Sequence, residues 1–208
     1  MKTTNKELMH QAREALTGNW GLAVVTYLIY ILIVGVFEGG VYRFPAIGII
    51  FTLIIAGPMA VGISIFALSI ARKQGAALEQ LFFGFQNFAV ALSAYLLMIL
   101  FVFLWTLLLV IPGIIMAIAY SQTFFILADD NSIGAMDALR KSQKMMDGYK
   151  WKYFCLGFRF IGWGLLCCLT LGIGFLWLMP YIQVTFAKFY DDIKTVTVQE
   201  GVQPVATV

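Results

Sequence analysis

Long apolar stretches alternate along this chain with short segments in which polar and apolar residues recur at helical spacing. The first such segment is 4–17, where Leu8, Met9, Ala12, Ala15 and Leu16 fall at i, i+1, i+4, i+7 and i+8, with Lys6, His10 and Arg13 on other faces. Gly18 ends this helix, and Trp20 stands where an aromatic at a membrane interface belongs. The same pattern predicts a second amphipathic segment over 76–85, with Leu78, Leu81, Phe82 and Phe85 apolar. A third is predicted over 131–147, closed by Gly148 and N-capped by Asn131 or Ser132. Between these segments lie the long runs, and residues 80–128 contain no Asp, Glu, Lys or Arg. As one helix that run would extend about 73 Å at about 1.5 Å per residue, against a hydrocarbon core of about 30 Å. It must therefore cross a bilayer twice, and Pro112-Gly113 is the predicted turn. The predicted spans are 20–37, 46–71, 87–111, 113–128, 151–171 and, beyond Gly172-Ile173-Gly174, 175–190; Pro58 is expected to kink the second.

Composition agrees with the pattern. Apolar residues make up 61% of the 208 and charged residues 12%, where soluble proteins have about 25% charged, and the mean hydropathy is +0.88. Cys155, Cys167 and Cys168 all lie in apolar runs and read as packing residues, without zinc-ligand spacing. The first nineteen residues are polar and helical in pattern, so no cleavable signal peptide is expected. His10, the single histidine, is expected at a solvated or headgroup-level position.

The order of segments repeats. Each third has a short amphipathic segment, a glycine, an aromatic-led span, a turn, and a returning span with a proline in it or at its start. The glycines are Gly18, Gly84 and Gly148, 66 and 64 residues apart, and the prolines are Pro58, Pro112 and Pro180. The repeats are predicted over about 4–73, 76–128 and 131–190, within one membrane domain of residues 1–192, followed by a flexible cytoplasmic tail over 193–208. Basic residues then set the orientation. With the N-terminus inside, Lys2, Lys6, Arg13, Arg72, Lys73, Arg140, Lys141, Lys144, Lys150, Lys152, Lys188 and Lys194 face the cytoplasm, Arg43 faces out and Arg159 lies in a span, which together exhaust the 14 Lys and Arg. Both termini are therefore expected to be cytoplasmic.

The candidate chemistry is sparse. No catalytic, metal or nucleotide motif stands out, so neither an enzyme nor a cofactor is expected. Arg140, Lys141, Lys144, Lys150 and Lys152 flank the third amphipathic segment, whose Ile133, Met136 and Leu139 can lie on a bilayer. These basic residues serve as topology determinants, as contacts to anionic headgroups, or as both. Arg159 lies about 12 Å into its span, within snorkelling reach of the surface, and has two readings: snorkelling or pairing with an interface carboxylate, and contact with a substrate or a lipid phosphate. Gly113, Ala117 and Ser121 recur every four residues and predict a smooth helix-packing stripe. Gln122 and Thr123, with Gln183 and Thr185, are intramembrane polar groups suited to interhelical hydrogen bonds or to a polar path. Asp129, Asp130 and Asn131 form an acidic corner expected to end and cap helices.

The segments LWTLLLVIPGIIMAIAYSQTFFILADD, ALRKSQKMMDGYKWKYF, FIGW and LMPYIQVTFAKFYDD, with ELMHQAREALTGNWG at the start, resemble a bacterial integral-membrane family, domain-of-unknown-function family nine-seven-five. The resemblance covers about residues 5–192 and is weakest over 30–79. It implies a bacterial cytoplasmic-membrane protein and brings no activity with it. A distant similarity to the membrane domains fused to glycerophosphodiester phosphodiesterases adds no catalytic residue, because theirs lie in a separate soluble domain. Where the family usually has a small or polar residue before FIGW, this chain has Arg159.

The expected protein is thus all-α and polytopic, six transmembrane helices as three hairpins with amphipathic helices on the cytoplasmic face. It is expected to be non-enzymatic and to engage anionic lipids, a partner membrane protein or itself, with no nucleic-acid partner. The alternative is a small transporter or channel subunit with a polar path near Gln122 and Gln183.

Overall fold

A computed structural model describes residues 3–43 and 45–199, with side chains for 3–35 and 48–196. Lys2, the Arg43 side chain and the tail from 200 onward lie outside the described residues. The described residues form nine α-helices, one 3-10 helix and no strand. Helix α1 (Asn5–Leu16) begins at Thr4, whose side chain accepts from Glu7 N at 3.2 Å, and ends where Gly18 takes a positive φ of +87°. It meets α2 (Trp20–Arg43) at 97°, so the amphipathic helix lies across the apolar one. Helix α3 (Pro45–Ala71) carries Pro58 in its interior, and the eight-residue loop expected over 38–45 is instead largely helix.

The second amphipathic segment is the 3-10 helix Leu78–Phe85, which presses directly on α3. A Cβ on Gly62 would sit 1.9 Å from Leu81 O, and one on Gly84 would sit 1.9 Å from Pro58 O. Only glycine permits two backbones to approach so closely. Gly84 therefore does a different job from Gly18 and Gly148, which end α1 and α7 at positive φ.

Helix α4 (Phe88–Leu108) turns into α5 (Val110–Ala119) through one extended residue, Leu109, with φ −159° and ψ 140°. The turn thus precedes Pro112-Gly113. Pro112 sits in the first turn of α5, where its missing N–H is not needed, and Gly113 lets the Thr106 side chain approach. The predicted fourth span then breaks at 120–122 before α6 (Thr123–Asp129). Helix α7 (Ala135–Met145) starts later than expected. Its N-cap is Gly134, while Asp130 accepts instead from Ser132 N at 3.0 Å and from Ser132 Oγ at 2.6 Å. Helix α8 (Lys150–Leu169) ends in a turn with Leu171 and Gly172 at positive φ, and α9 (Phe175–Gln199) follows. Helix α9 runs through the start of the region expected to be a tail, and Ile193 is fully buried.

Four stretches are long and apolar enough to cross a membrane: Gly48–Ala71, Phe88–Leu108, Val110–Asp129 and Lys150–Leu169, or five with the bent pair α1–α2. The apolar surface they show is membrane-like, for a water-soluble chain would not leave Leu107, Leu108, Ile111, Leu169 and Leu171 mostly exposed at one end. At the other end the core is dense. Leu8 and Leu16 of α1, Phe66 and Ile70 of α3, Ile126 of α6, Leu139 and Met146 around α7, and Phe189 and Tyr190 of α9 are all buried there.

Candidate functional site

The dense end is where charged and polar side chains collect. Arg72, just beyond α3, donates from Nη1 to Asp129 Oδ1 at 2.6 Å and from Nη2 to Asp191 Oδ1 at 2.6 Å, with Nε also 3.1 Å from that oxygen. Tyr190 donates to Asp129 Oδ2 at 3.0 Å, and Lys194 pairs with the same oxygen. Burial works against the Arg72 charge, but the hydrogen bonds to Asp191 and Asp129 outweigh it and raise its pKa. Phe125 of α6 stacks on Tyr190 at 5.8 Å beneath the cluster. The ends of α3 and α6 are thus tied to the body of α9 by one bidentate arginine and its partners. Asp129 does more than terminate a helix, and this cluster was not expected from the sequence. A signal for it in the sequence was that Arg72, Asp129 and Asp191 each stand at the end of a long apolar run.

The third amphipathic segment docks on the bundle. Ala138, Leu139, Ser142 and Met145 are buried along one face of α7. Ser142 Oγ donates to Ala119 O at 2.7 Å and accepts from Gln122 N at 3.2 Å, so it satisfies two backbone groups freed by the break between α5 and α6. Leu139, expected on the bilayer, is inside; Ile133 is half-buried and Met136 is exposed. The reason is the break itself, which offers unpaired polar groups that a helix facing lipid could not satisfy.

That docking turns the basic residues outward. Arg140 and Lys144 are exposed, Lys141 is half-buried, and Lys150 lies 3.7 Å from Asp147. Lys152 turns the other way, donating to Thr3 O at the start of α1. Arg159 is exposed on α8 and reaches a cleft shared with α1 rather than joining the α7 group. Lys150 and Lys152 are followed by Trp151 and Phe154, stacked at 5.5 Å and both exposed.

The small-residue stripe splits. Gly113 is buried, Ala117 exposed and Ser121 half-buried. A four-residue step drifts about 40° per repeat around a helix, and the break at 120–122 changes the register again. Gln122 is fully buried at the break, with Nε2 3.0 Å from Ser121 Oγ and Oε1 without a hydrogen-bond partner. Gln183 is half-buried in α9, and no hydrogen bond joins it to Gln122. Thr123 and Thr185 are buried; Thr123 donates back across the break to Tyr120 O, and Thr185 donates within α9 to Tyr181 O.

An all-helical chain with several membrane-length apolar helices and a basic, closely packed end is the class these features define. The chain belongs to the family described as protein of unknown function (DUF975), which it matches over residues 1–118 and 106–197. Neither a curated protein nor a solved structure matches it.

Proposed function

We propose that this is a non-enzymatic protein of the bacterial cytoplasmic membrane that engages anionic lipids through its basic end. In this reading six helices cross as three hairpins, α2 with α3, α4 with α5–α6, and α8 with α9, and both termini are cytoplasmic. The observation that carries the lipid reading is the outer face of α7. Its apolar side is already used against the bundle, and Arg140 and Lys144 are exposed without an ion-pair partner among the described residues. Unpaired basic residues just outside a membrane suit a surface of anionic headgroups.

Neutralising Lys141, Lys144 and Lys150 together to Gln tests this. The enrichment of anionic over neutral lipid around the full chain in mixed bilayers is expected to fall, by up to about 3 kcal/mol at about 1 kcal/mol per charge. It is also expected to weaken as salt shortens the screening length below about 8 Å. Equal enrichment in wild type and variant contradicts the reading. Orientation has its own test in a background lacking the native cysteines. Gln143→Cys is expected to label only after the membrane is opened, and Ile173→Cys from outside intact cells; the reverse inverts the topology.

A second reading, a small transporter or channel subunit, is favoured by the buried Gln122 Oε1 without a partner at a broken helix. Gln122→Leu separates the two. It abolishes any solute flux in proteoliposomes if the break lines a path, and leaves lipid enrichment intact.

A further inference from the structure

A cleft of about 510 Å³ opens between α1, α8 and α9 at the polar end. Its walls are pinned together. Asn5 Nδ2 donates to Lys152 O at 3.2 Å, and Lys152 donates to Thr3 O, so the start of α1 is fixed to the start of α8. From α9, Tyr181 donates to Met9 O at 3.2 Å and meets Phe160 of α8 edge-on at 5.5 Å. Lys6, His10 and Arg13 stand at i, i+4 and i+7 and so share the face of α1 that lines the cleft. Arg159 and, one turn further along α8, Trp163 close it from the other side.

The charges in this cleft are all of one sign. No carboxylate lines it, and Lys6, Arg13 and Arg159 form no ion pair among the described residues. The nearby Glu14 lies 3.7 Å from His10 Nδ1, and both are exposed. Three cations held around one cavity repel each other until an anion enters, and two of them are arginines, whose forked donors match phosphate oxygens. We propose that the cleft holds the phosphate of one anionic phospholipid, with Arg13 and Arg159 as its principal contacts. Depth argues for a lipid over free phosphate. Arg159 is nine residues into α8, about 13.5 Å from its start. Beyond it, on the same face of the helix at i+4 and i+7, Trp163 and Leu166 are exposed, an apolar surface along which an acyl chain can lie. The site also gives Arg159, an arginine within an apolar helix, a counterion.

This inference rests on the anionic-lipid reading above, and native mass spectrometry separates the two. The full chain is extracted in neutral detergent with equal phosphatidylglycerol and phosphatidylcholine, then stripped stepwise. One phosphatidylglycerol is expected to outlast the rest. Arg13→Gln with Arg159→Gln is expected to weaken its retention at least about tenfold, while Lys141→Gln with Lys144→Gln leaves it unchanged. If only the α7 pair matters, the cleft is not the site, although the wider lipid reading survives. If wild type retains phosphatidylcholine equally well, both fall. Inorganic phosphate alone is the third probe: binding that matches the lipid and needs the same two arginines makes this a soluble-anion site and overturns the lipid assignment. Should the double variant misfold, photoreactive phosphatidylglycerol on wild type decides. Crosslinks on α1 and around Trp163 support the cleft, and crosslinks confined to α7 overturn it.

Discussion

The helices that lead away from the polar end differ from those that return to it. In α4 and α8 only 11% of the most apolar window is buried, whereas in α3 and in the α5–α6 stretch it is 44%. All four are apolar, so hydrophobicity does not separate them. Side-chain size and backbone breaks do. Helix α3 carries Gly57, Pro58, Ala60, Gly62 and Ser64, and other backbones press on it at Gly57 and Gly62. Helix α4 carries LLMILFVFLW, and Phe103, Leu104 and Trp105 of that run are exposed. In lipid, apolar side chains gain little by leaving one apolar phase for another, so close backbone packing and buried polar contacts select the inner helices. The difference teaches that α3 and the α5–α6 stretch lie toward the interior of the bundle and α4 and α8 toward its outside.

Substitutions of one type on the two kinds of helix sharpen that contrast. Gly62→Leu is expected to have the largest effect, at least about 3 kcal/mol or outright failure to fold, because the atom it meets is the Leu81 carbonyl oxygen rather than a movable side chain. Gly162→Leu on α8, where a Cβ would meet nothing within 4 Å, is expected within about 0.5 kcal/mol of wild type. Unfolding midpoints in detergent compare the pair, and equal losses break the contrast. Asp129→Ala comes next, at about 2–3 kcal/mol. It strands Lys194 and Tyr190, while Arg72 keeps Asp191, so the loss stays below the about 3–5 kcal/mol of a fully buried pair. Ser142→Ala is expected to cost about 1–2 kcal/mol by leaving Ala119 O and Gln122 N unpaired inside the bundle. Ala117→Leu is the smallest, near zero, because Ala117 is exposed on α5; a large loss would restore it to a packing face.

Much of this architecture was legible in the residues. The apolar runs, the amphipathic pattern of α1 and α7, and the glycines that close them follow from local spacing and capping. The turn at Leu109 was misplaced because Pro and Gly mark both turns and first helical turns, and here Pro112 does the latter. The break at 120–122 and the docking of α7 depend on each other through Ser142, a tertiary hydrogen bond that no periodicity reveals. The Arg72–Asp129–Asp191 cluster needed residues far apart in the chain to be brought together in space, and the part of α9 past Tyr190 is held by tertiary contacts, the Lys194–Asp129 pair and the burial of Ile193. The cleft was half legible: Arg159 stood out as a charge in an apolar helix, but its company with Lys6 and Arg13 rests on the tertiary ties that fix the start of α1 to the start of α8.

The contrast between inner and outer helices meets its most direct test in lipid-phase accessibility. Single cysteines at Leu100 and Leu104 of α4 and at Ile126 and Leu127 of α6, in a cysteine-free background reconstituted in bilayers, carry a nitroxide exposed in turn to oxygen and to a water-soluble nickel chelate. Strong oxygen collisions and weak chelate collisions are expected at Leu100 and Leu104, and protection from both at Ile126 and Leu127, which are 0% and 4% exposed. Equal oxygen accessibility on the two helices, or chelate access along α4, would contradict the division into an inner and an outer set.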